Sequence, residues 1–371
     1  MDNYKQTAEK ILSISDVKIN GNRDWDLIVN NDKFFERTIK NGSLGFGESY
    51  MDGWWDCKKL DEMLTRLFRA KLQHVIIPFS AFLHIAKSRV LNLQTKKGSK
   101  AVAELHYDLG NEFYSNMLDK RMQYTCAYWD WGAKNLDQAQ EDKLDLVCKK
   151  LQLKKGEKVL ELGCGWGQFA KFAAQKYKVN VTSYNISKEQ VEYARESCKG
   201  LSVKIVHEDY RNATGSYDKI VSIGMCEHVG YKNFRNFYKL QHELVKDNGL
   251  VLTHTIGGNV SVTNTDPWIQ EYIFPNSMLP SIKQLSESFE GLFVMEDWHN
   301  LNVNYDKTLM EWDKNFRKNW HKFKDQYGER FYRMWRFYLL SSAAQFRARK
   351  IQLWQIVLSK DGLPSGYKSI R

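Results

Sequence analysis

Two stretches of this sequence end in side chains able to carry acid–base chemistry. Ile220-Val-Ser-Ile-Gly-Met-Cys-Glu-His228 runs from apolar residues into Glu227 and His228, and Leu250-Val-Leu-Thr-His-Thr-Ile256 carries His254 near its end. A carboxyl and an imidazole at neighbouring strand ends can hold, orient and pass a proton. On a strand, His254 shares its face with Leu252 and Ile256, so the alternative is a histidine satisfied within the core. Cys126, Glu227 and His254 are conceivable zinc ligands, but no ligand-spacing motif accompanies them and no metal is expected.

A third stretch, Glu161-Leu-Gly-Cys-Gly-Trp-Gly167, has the form of a strand whose end opens through glycines into a helix. Such a loop lets the backbone approach a ligand closely at the carboxyl edge of a sheet. The spacing is G-x-G-x-G and not the dinucleotide G-x-G-x-x-G. Glu161 before the first glycine would repel a pyrophosphate, but it could order the loop or meet an amino group. The second strand ends in Tyr184 and Asn185, where a dinucleotide site would offer a ribose-binding acid. Together these favour S-adenosylmethionine, which has no phosphate and carries an ammonium and a sulfonium. Asp209-Tyr210, after the third strand, fits the adenine end of a nucleoside, or else is a loop acid beside a core tyrosine.

These residues need a frame. Strand-like runs at 158–162, 179–184, 203–207, 219–223, 250–255, 293–298 and 351–358 alternate with helical periodicity, including a helix with Phe169, Phe172, Ala173 and Tyr177 on one face. That alternation predicts an α/β fold with a parallel, doubly wound sheet. Ahead of it, Met63, Leu64, Leu67, Phe68 and Leu72 mark an amphipathic helix. Gly42, Gly45, Gly47 and Gly53 among Phe46, Tyr50, Trp54 and Trp55 read as turns packed by aromatics. The expected organisation is a small, mostly helical N-terminal domain over 1–86, a basic linker over 87–105 and a catalytic domain over 106–371.

The 371 residues carry 55 Lys plus Arg against 44 Asp plus Glu, a formal charge of +11 that calls for an anionic partner. Lys87–Lys100 holds five basic residues and no acid, either a solvated connector or a contact for anionic lipid head groups. Residues 306–350 carry a net +7, but the charges are spread over amphipathic helices and no nucleic-acid module is recognisable, so no nucleic-acid partner is expected. The most apolar stretch, Val75–Ala86, falls short of the roughly 20 residues that span a bilayer. With six scattered cysteines, no Cys-x-x-Cys pair and no secretory signal, the expectation is a reduced, cytoplasmic protein.

The chain resembles the bacterial cyclopropane-fatty-acyl-phospholipid synthases over nearly its whole length. The resemblance rests on 42–55 (Gly-Ser-Leu-Gly-Phe-Gly-Glu-Ser-Tyr-Met-Asp-Gly-Trp-Trp), His106–Asn111, Met122–Trp129, Leu162–Gly167, Cys226–Gly230, His254–Gly257, Asp266–Ile269 with Tyr272–Asn276, Asp297–Asn300 and Phe346–Arg349. It implies a Rossmann-like S-adenosylmethionine-dependent methyltransferase that adds a methyl to the cis double bond of a phospholipid acyl chain and closes a cyclopropane ring. It further implies a bound bicarbonate as base, held by Cys126, Glu227, His254, the backbone of Ile256, and Tyr305. For the methyl donor it adds Tyr124, Thr125, Gly163, Gly165, Asn185, Gln190 and Tyr210, beside Asp209. Candidate rings for cation stabilisation are Tyr128, Trp129, Trp268, Tyr272, Trp298 and Tyr305. Ser342 stands where the family often has a cysteine, so covalent thiol catalysis there is not required. The implied partners are an anionic bilayer surface at the inner face of the membrane, the unsaturated phospholipid substrate, and a second copy in a homodimer. The alternatives are a methyl-branched lipid product or methylation of a soluble metabolite.

Overall fold

The structure is a computed structural model that describes residues 2–70, 109–301 and 303–371. Val75–Ala86, Lys87–Lys100, the 87–105 linker and the first part of the His106–Asn111 block lie outside these residues. Contacts divide the chain into two compact units. One consists of Met1–Leu91, Thr263–Pro275 and Tyr305–Ile351, and the other of Asn92–Val262, Asn276–Asn304 and Gln352–Arg371. The division follows packing, so segments expected in a continuous catalytic region group with the N-terminal helices.

The second unit is built on a seven-stranded sheet. Its strands are β1 (Lys158–Leu162), β2 (Asn180–Asn185), β3 (Val203–His207), β4 (Tyr217–Ile223), β5 (Val245–Gly258), β6 (Val294–Asn300) and β7 (Ile351–Ser359). The order is β3-β2-β1-β4-β5-β7-β6. The β3-β2, β2-β1, β1-β4 and β4-β5 pairs are parallel, and β6 runs antiparallel to β7. This is the doubly wound α/β sheet expected from the alternation of elements. Alternate residues of each strand enter different layers. Val159, Val181, Val221, Leu252 and Val357 pack with Leu144, Val147, Phe169 and Phe172. Leu160, Leu162, Ile220, Val251 and Ile356 pack with Phe234, Phe237, Leu285 and Phe289. Each fully buried Val, Leu or Ile contributes about 1.5–3 kcal/mol, so the parallel strands are fixed in place by both faces at once.

The helix Leu136–Lys150 starts where the Asn135 side chain accepts the Gln138 amide at 3.0 Å, and it ends in Lys149 and Lys150. Both features suit the helix dipole.

In the helical unit Gly53 stands in a turn as expected, but 42–51 is not the run of turns expected from its glycines and belongs to a longer helix. That helix is Lys33–Met51, broken only at Gly42, whose φ is 58° and ψ −133°. Gly45 and Gly47 are helical because close approach demands them: a Cβ on Gly45 would come within 2.2 Å of the Arg37 carbonyl oxygen, and one on Gly47 within 2.4 Å of the Trp268 ring. The predicted amphipathic helix is Leu60–Arg69, and Leu72, the last residue of its expected stripe, lies outside the described residues. Long-range pairs explain why the unit is discontinuous in sequence. Arg347 binds Asp306 at 2.9 Å and Asp61 at 2.6 Å, Arg333 reaches Asp56 at 2.7 Å over the Tyr50 ring, and Tyr272 donates to Glu48 at 2.8 Å. Among the described residues no helix is long and apolar enough to cross a membrane.

Candidate functional site

Strand register brings the polar residues to one edge. Leu162 pairs with Tyr184 and with Ser222, and Ile223 pairs with His254. The carboxyl ends of β1, β2, β4 and β5 therefore stand side by side, with Glu227 in a single 3-10 turn (Cys226–His228) just past β4.

The glycine loop after β1 is shaped by positive φ angles at Gly163 (83°), Gly165 (49°) and Gly167 (74°). The Gly163 and Cys164 amides both donate to the Tyr184 carbonyl, at 3.0 and 3.2 Å, which ties the loop to β2. Asn185 Nδ2 donates to the Gly165 carbonyl and to Gln190 Oε1, each at 3.0 Å. A Cβ on Gly163 would meet Met225 Sδ at 2.9 Å, whereas one on Gly165 would have no heavy atom within 4 Å. Gly165 thus lies beside open space, as a backbone that approaches a ligand must. Glu161 is buried, its Oε2 accepts from Ser183 Oγ at 2.6 Å, and burial pushes its carboxyl up to about 7. It therefore braces β1 against β2. Asp209 accepts the Arg211 amide at 2.9 Å and caps Tyr210–Asn212, while the Tyr210 ring meets Phe237 edge-on at 5.7 Å.

The turn that carries Tyr124, Thr125 and Cys126 is held from beneath by the helix Leu136–Lys150. Gln140 Nε2 donates to the Thr125 carbonyl at 2.8 Å, and Lys143 Nζ donates to Gln123 Oε1 at 2.6 Å and Thr125 Oγ1 at 2.8 Å. Rings link this turn to the glycine loop, because Tyr114 lies 5.3 Å from Tyr124 and 5.1 Å from Trp166. Trp166 in turn donates to Asn111 Oδ1 at 2.7 Å. On the other side, a Cβ on Gly224 would come within 2.6 Å of Thr125 Cγ2, and the Gly224 amide donates to the His254 carbonyl at 2.9 Å.

Glu227 Oε1 accepts the Ile256 amide at 2.7 Å, which sets the carboxyl against β5 two residues beyond His254. Its Oε2 is buried and has no hydrogen-bond partner among the described residues. Burial pushes this carboxyl up to about 7 despite the Ile256 bond and the nearby Thr255 hydroxyl, which bonds the Ile256 carbonyl at 3.1 Å. His254 is 1% exposed, and burial, reinforced by the Lys143 and Lys150 charges, holds it well below the usual histidine range. The neutral ring has Gln355 Nε2 3.2 Å from Nδ1, and its Nε2 has no partner among the described residues. With the Gln355 amide donating to Nδ1, the ring proton resides on Nε2. An acid oxygen and an imidazole N–H are thus unmatched near the carboxyl ends of β4 and β5, where Ser222 Oγ, Thr253 Oγ1 and Gln355 Oε1 are buried without partners among the described residues as well. Buried groups of this kind are normally paired, so the arrangement fits a small polar guest.

The sequence pattern of the mycolic acid cyclopropane synthetase family matches residues 94–356. The chain belongs to that family. Its members are S-adenosylmethionine-dependent methyltransferases, and so is this enzyme. The chain is 47% identical over 371 residues to the cyclopropane-fatty-acyl-phospholipid synthase of Escherichia coli (strain K12), covering 100% of this chain and 97% of that one. Among solved structures, the mycolic acid cyclopropane synthase CmaA1 complexed with SAH and CTAB is similar with a TM-score of 0.66 at 30% identity, over 70% of this chain and 98% of that one. The cyclopropane synthase MmaA2 from Mycobacterium tuberculosis gives a TM-score of 0.67 at 28% identity, over 70% and 98%.

In this member of the cyclopropane synthetase family the named positions divide between the units. Tyr124, Thr125, Cys126, Gly163, Gly165, Asn185, Gln190, Asp209, Tyr210, Glu227, His254 and Ile256 belong to the sheet unit. Tyr305 and Ser342 belong to the helical unit. There Tyr305 packs at 4.7 Å from Phe346 and 5.8 Å from Trp312, and Ser342 is half-buried on the helix Lys324–Arg347. Of the candidate rings, Tyr128, Trp129 and Trp298 lie in the sheet unit and Trp268, Tyr272 and Tyr305 in the helical one. Sequence reasoning passed over Lys143, Gln355, Ser183 and Asn111 as individual residues. Gln140 and Lys143 interrupt the apolar stripe Leu136, Leu144, Val147, and Gln355 interrupts the buried run of β7. A polar residue in an otherwise apolar register was the available signal.

Proposed function

We propose that this chain transfers the methyl group of S-adenosylmethionine to the cis double bond of an unsaturated acyl chain in a membrane phospholipid and closes a cyclopropane ring. The observation that carries the reading is the buried pair Glu227 and His254, each with an unmatched polar atom, beside a glycine loop that opens at Gly165. The end-to-end identity with the Escherichia coli synthase supports the phospholipid as substrate.

The alkene π pair forms a bond to the methyl carbon as the sulfonium sulfur leaves with its own bonding pair. The acyl chain then carries the positive charge, and loss of a proton from the added carbon supplies the pair that closes the ring. Bound bicarbonate supplies a base for that proton. Glu227 and His254 suit such an anion: an Nε2–H donates, and a carboxyl raised to about 7 keeps a proton available on Oε2 where a full carboxylate would repel. Cys126 and, on the family resemblance alone, Tyr305 are the other residues we assign to this anion. For the donor, the residues that fit are the Gly163–Gly165 backbone, the Asn185–Gln190 pair, and Tyr124, Thr125, Asp209 and Tyr210. An unactivated alkene is a weak nucleophile, so alignment and water exclusion must supply the rate.

We further infer a peripheral position on the inner face of the membrane, with Val75–Ala86 and Lys87–Lys100 as contacts for anionic lipid, and a homodimer. The test supplies purified protein and S-adenosylmethionine to vesicles with cis-unsaturated or saturated chains. The unsaturated vesicles should give a product heavier by one CH2 that resists hydrogenation, and the saturated ones none. A methyl-branched or methylene product would sink the ring closure and leave the cofactor standing.

A further inference from the structure

Lys143 is fully buried, and the reaction described above gives it no task. Its ammonium donates to two neutral side-chain oxygens on one turn, Gln123 Oε1 at 2.6 Å and Thr125 Oγ1 at 2.8 Å. The titratable groups that act on it, Asp119, Cys126 and Glu161, do so through space, with burial the dominant influence. A buried ammonium without a hydrogen-bonded carboxylate is costly, and an apolar side chain of similar volume would often be as stable or more so. Compensation of the buried Asp119 carboxyl is one part it plays, but that needs no contact with Gln123 or Thr125.

The turn backbone is already held by other groups. Asp119 accepts the Arg121 and Gln123 amides, each at 2.8 Å, and Gln140 binds the Thr125 carbonyl. What Lys143 adds is the orientation of two side chains. With Oγ1 drawn to the ammonium, the β-branched Thr125 turns Cγ2 against Gly224, whose amide bonds the His254 carbonyl.

We propose that Lys143 is a positioning residue for methyl transfer: its ammonium clamps the Gln123 and Thr125 side chains and thereby fixes the turn carrying Tyr124, Thr125 and Cys126 for the methyl donor and for the Glu227–His254 pair. The inference rests on the functional reading above and deepens it.

The experiment measures S-adenosylhomocysteine affinity by calorimetry on the full chain, together with melting temperature. A wild type that does not bind would remove the donor site on which the clamp rests, whereas the variants decide the clamp itself. Lys143→Met should weaken S-adenosylhomocysteine roughly tenfold or more while the chain stays folded at the assay temperature, as the melting curve will show. Wild-type affinity in Lys143→Met overturns the clamp. Gln123→Met, alone and with Lys143→Met, closes a double-mutant cycle. A clamp acting through Gln123 predicts that the double variant binds no more weakly than Lys143→Met, and additive losses overturn it. If Lys143→Met does not fold, Lys143→Gln takes its place in the same cycle.

Discussion

Replacing Glu227 by Gln separates the titration of this carboxyl from its architecture. The substituted amide would keep an oxygen for the Ile256 N–H, now bonded at 2.7 Å, and would place a neutral NH2 where Oε2 lies. The wild-type carboxyl is raised from an ordinary 4.5 to about 7 because burial penalises its charge. A folded state that holds its proton more tightly than the unfolded chain is favoured at low pH, so this contribution is fully present below 4.5 and is lost as pH rises through about 7. Between about pH 5.5 and about pH 8 the wild type should therefore lose about 2 kcal/mol relative to Glu227→Gln. Glu161 and Asp119, raised to about 7 and about 6, titrate in the same window but are common to both proteins and cancel. Urea denaturation at both pH values measures the gap. Parallel pH dependence in the two proteins would refute the buried-acid account. Glu227→Ala, which leaves the Ile256 amide without its acceptor, should cost about 1–3 kcal/mol at low pH, where Glu227→Gln costs little.

Gly165→Val should fold, since nothing lies within 4 Å of its Cβ, apart from strain at φ 49°. It should weaken S-adenosylhomocysteine at least about tenfold, and unchanged affinity would remove the donor from this loop. Asp297→Ala should strip the carboxylate from Lys150, which is 0% exposed and bonded to Asp297 at 3.1 Å and to His299 Nδ1 at 3.0 Å, and lower stability by about 3–5 kcal/mol in denaturation. Ser342→Ala should keep turnover within about twofold of wild type, because a hydroxyl is a poor stand-in for a thiolate, and a large loss would give Ser342 a role in the reaction. Turnover in carbonate-free buffer should fall and return on adding bicarbonate, and indifference to bicarbonate would remove it as the base.

The sheet was legible because parallel strands buried on both faces are continuous apolar runs, and β1 and β3 fall where their runs predict. Glu227 and His254 were legible because both break such a run at a carboxyl end. The helix Lys33–Met51 was not, since its glycines argue against helix until the Trp268 ring and the Arg37 carbonyl oxygen require them. Nor was the discontinuous helical unit, which depends on pairs such as Arg347–Asp61 and Arg333–Asp56, far apart in sequence. Gln355 and Lys143 were hidden for a related reason: their partners lie on other elements, and only the fold supplies them.

The claim at the centre is that the added carbon loses a hydrogen at this site and closes the ring. S-adenosylmethionine with a fully deuterated methyl group, given to unsaturated vesicles, tests it directly by mass spectrometry of the lipid. A hydrogenation-resistant product that keeps two of the three deuteriums is the predicted result. A product that keeps all three would contradict the account.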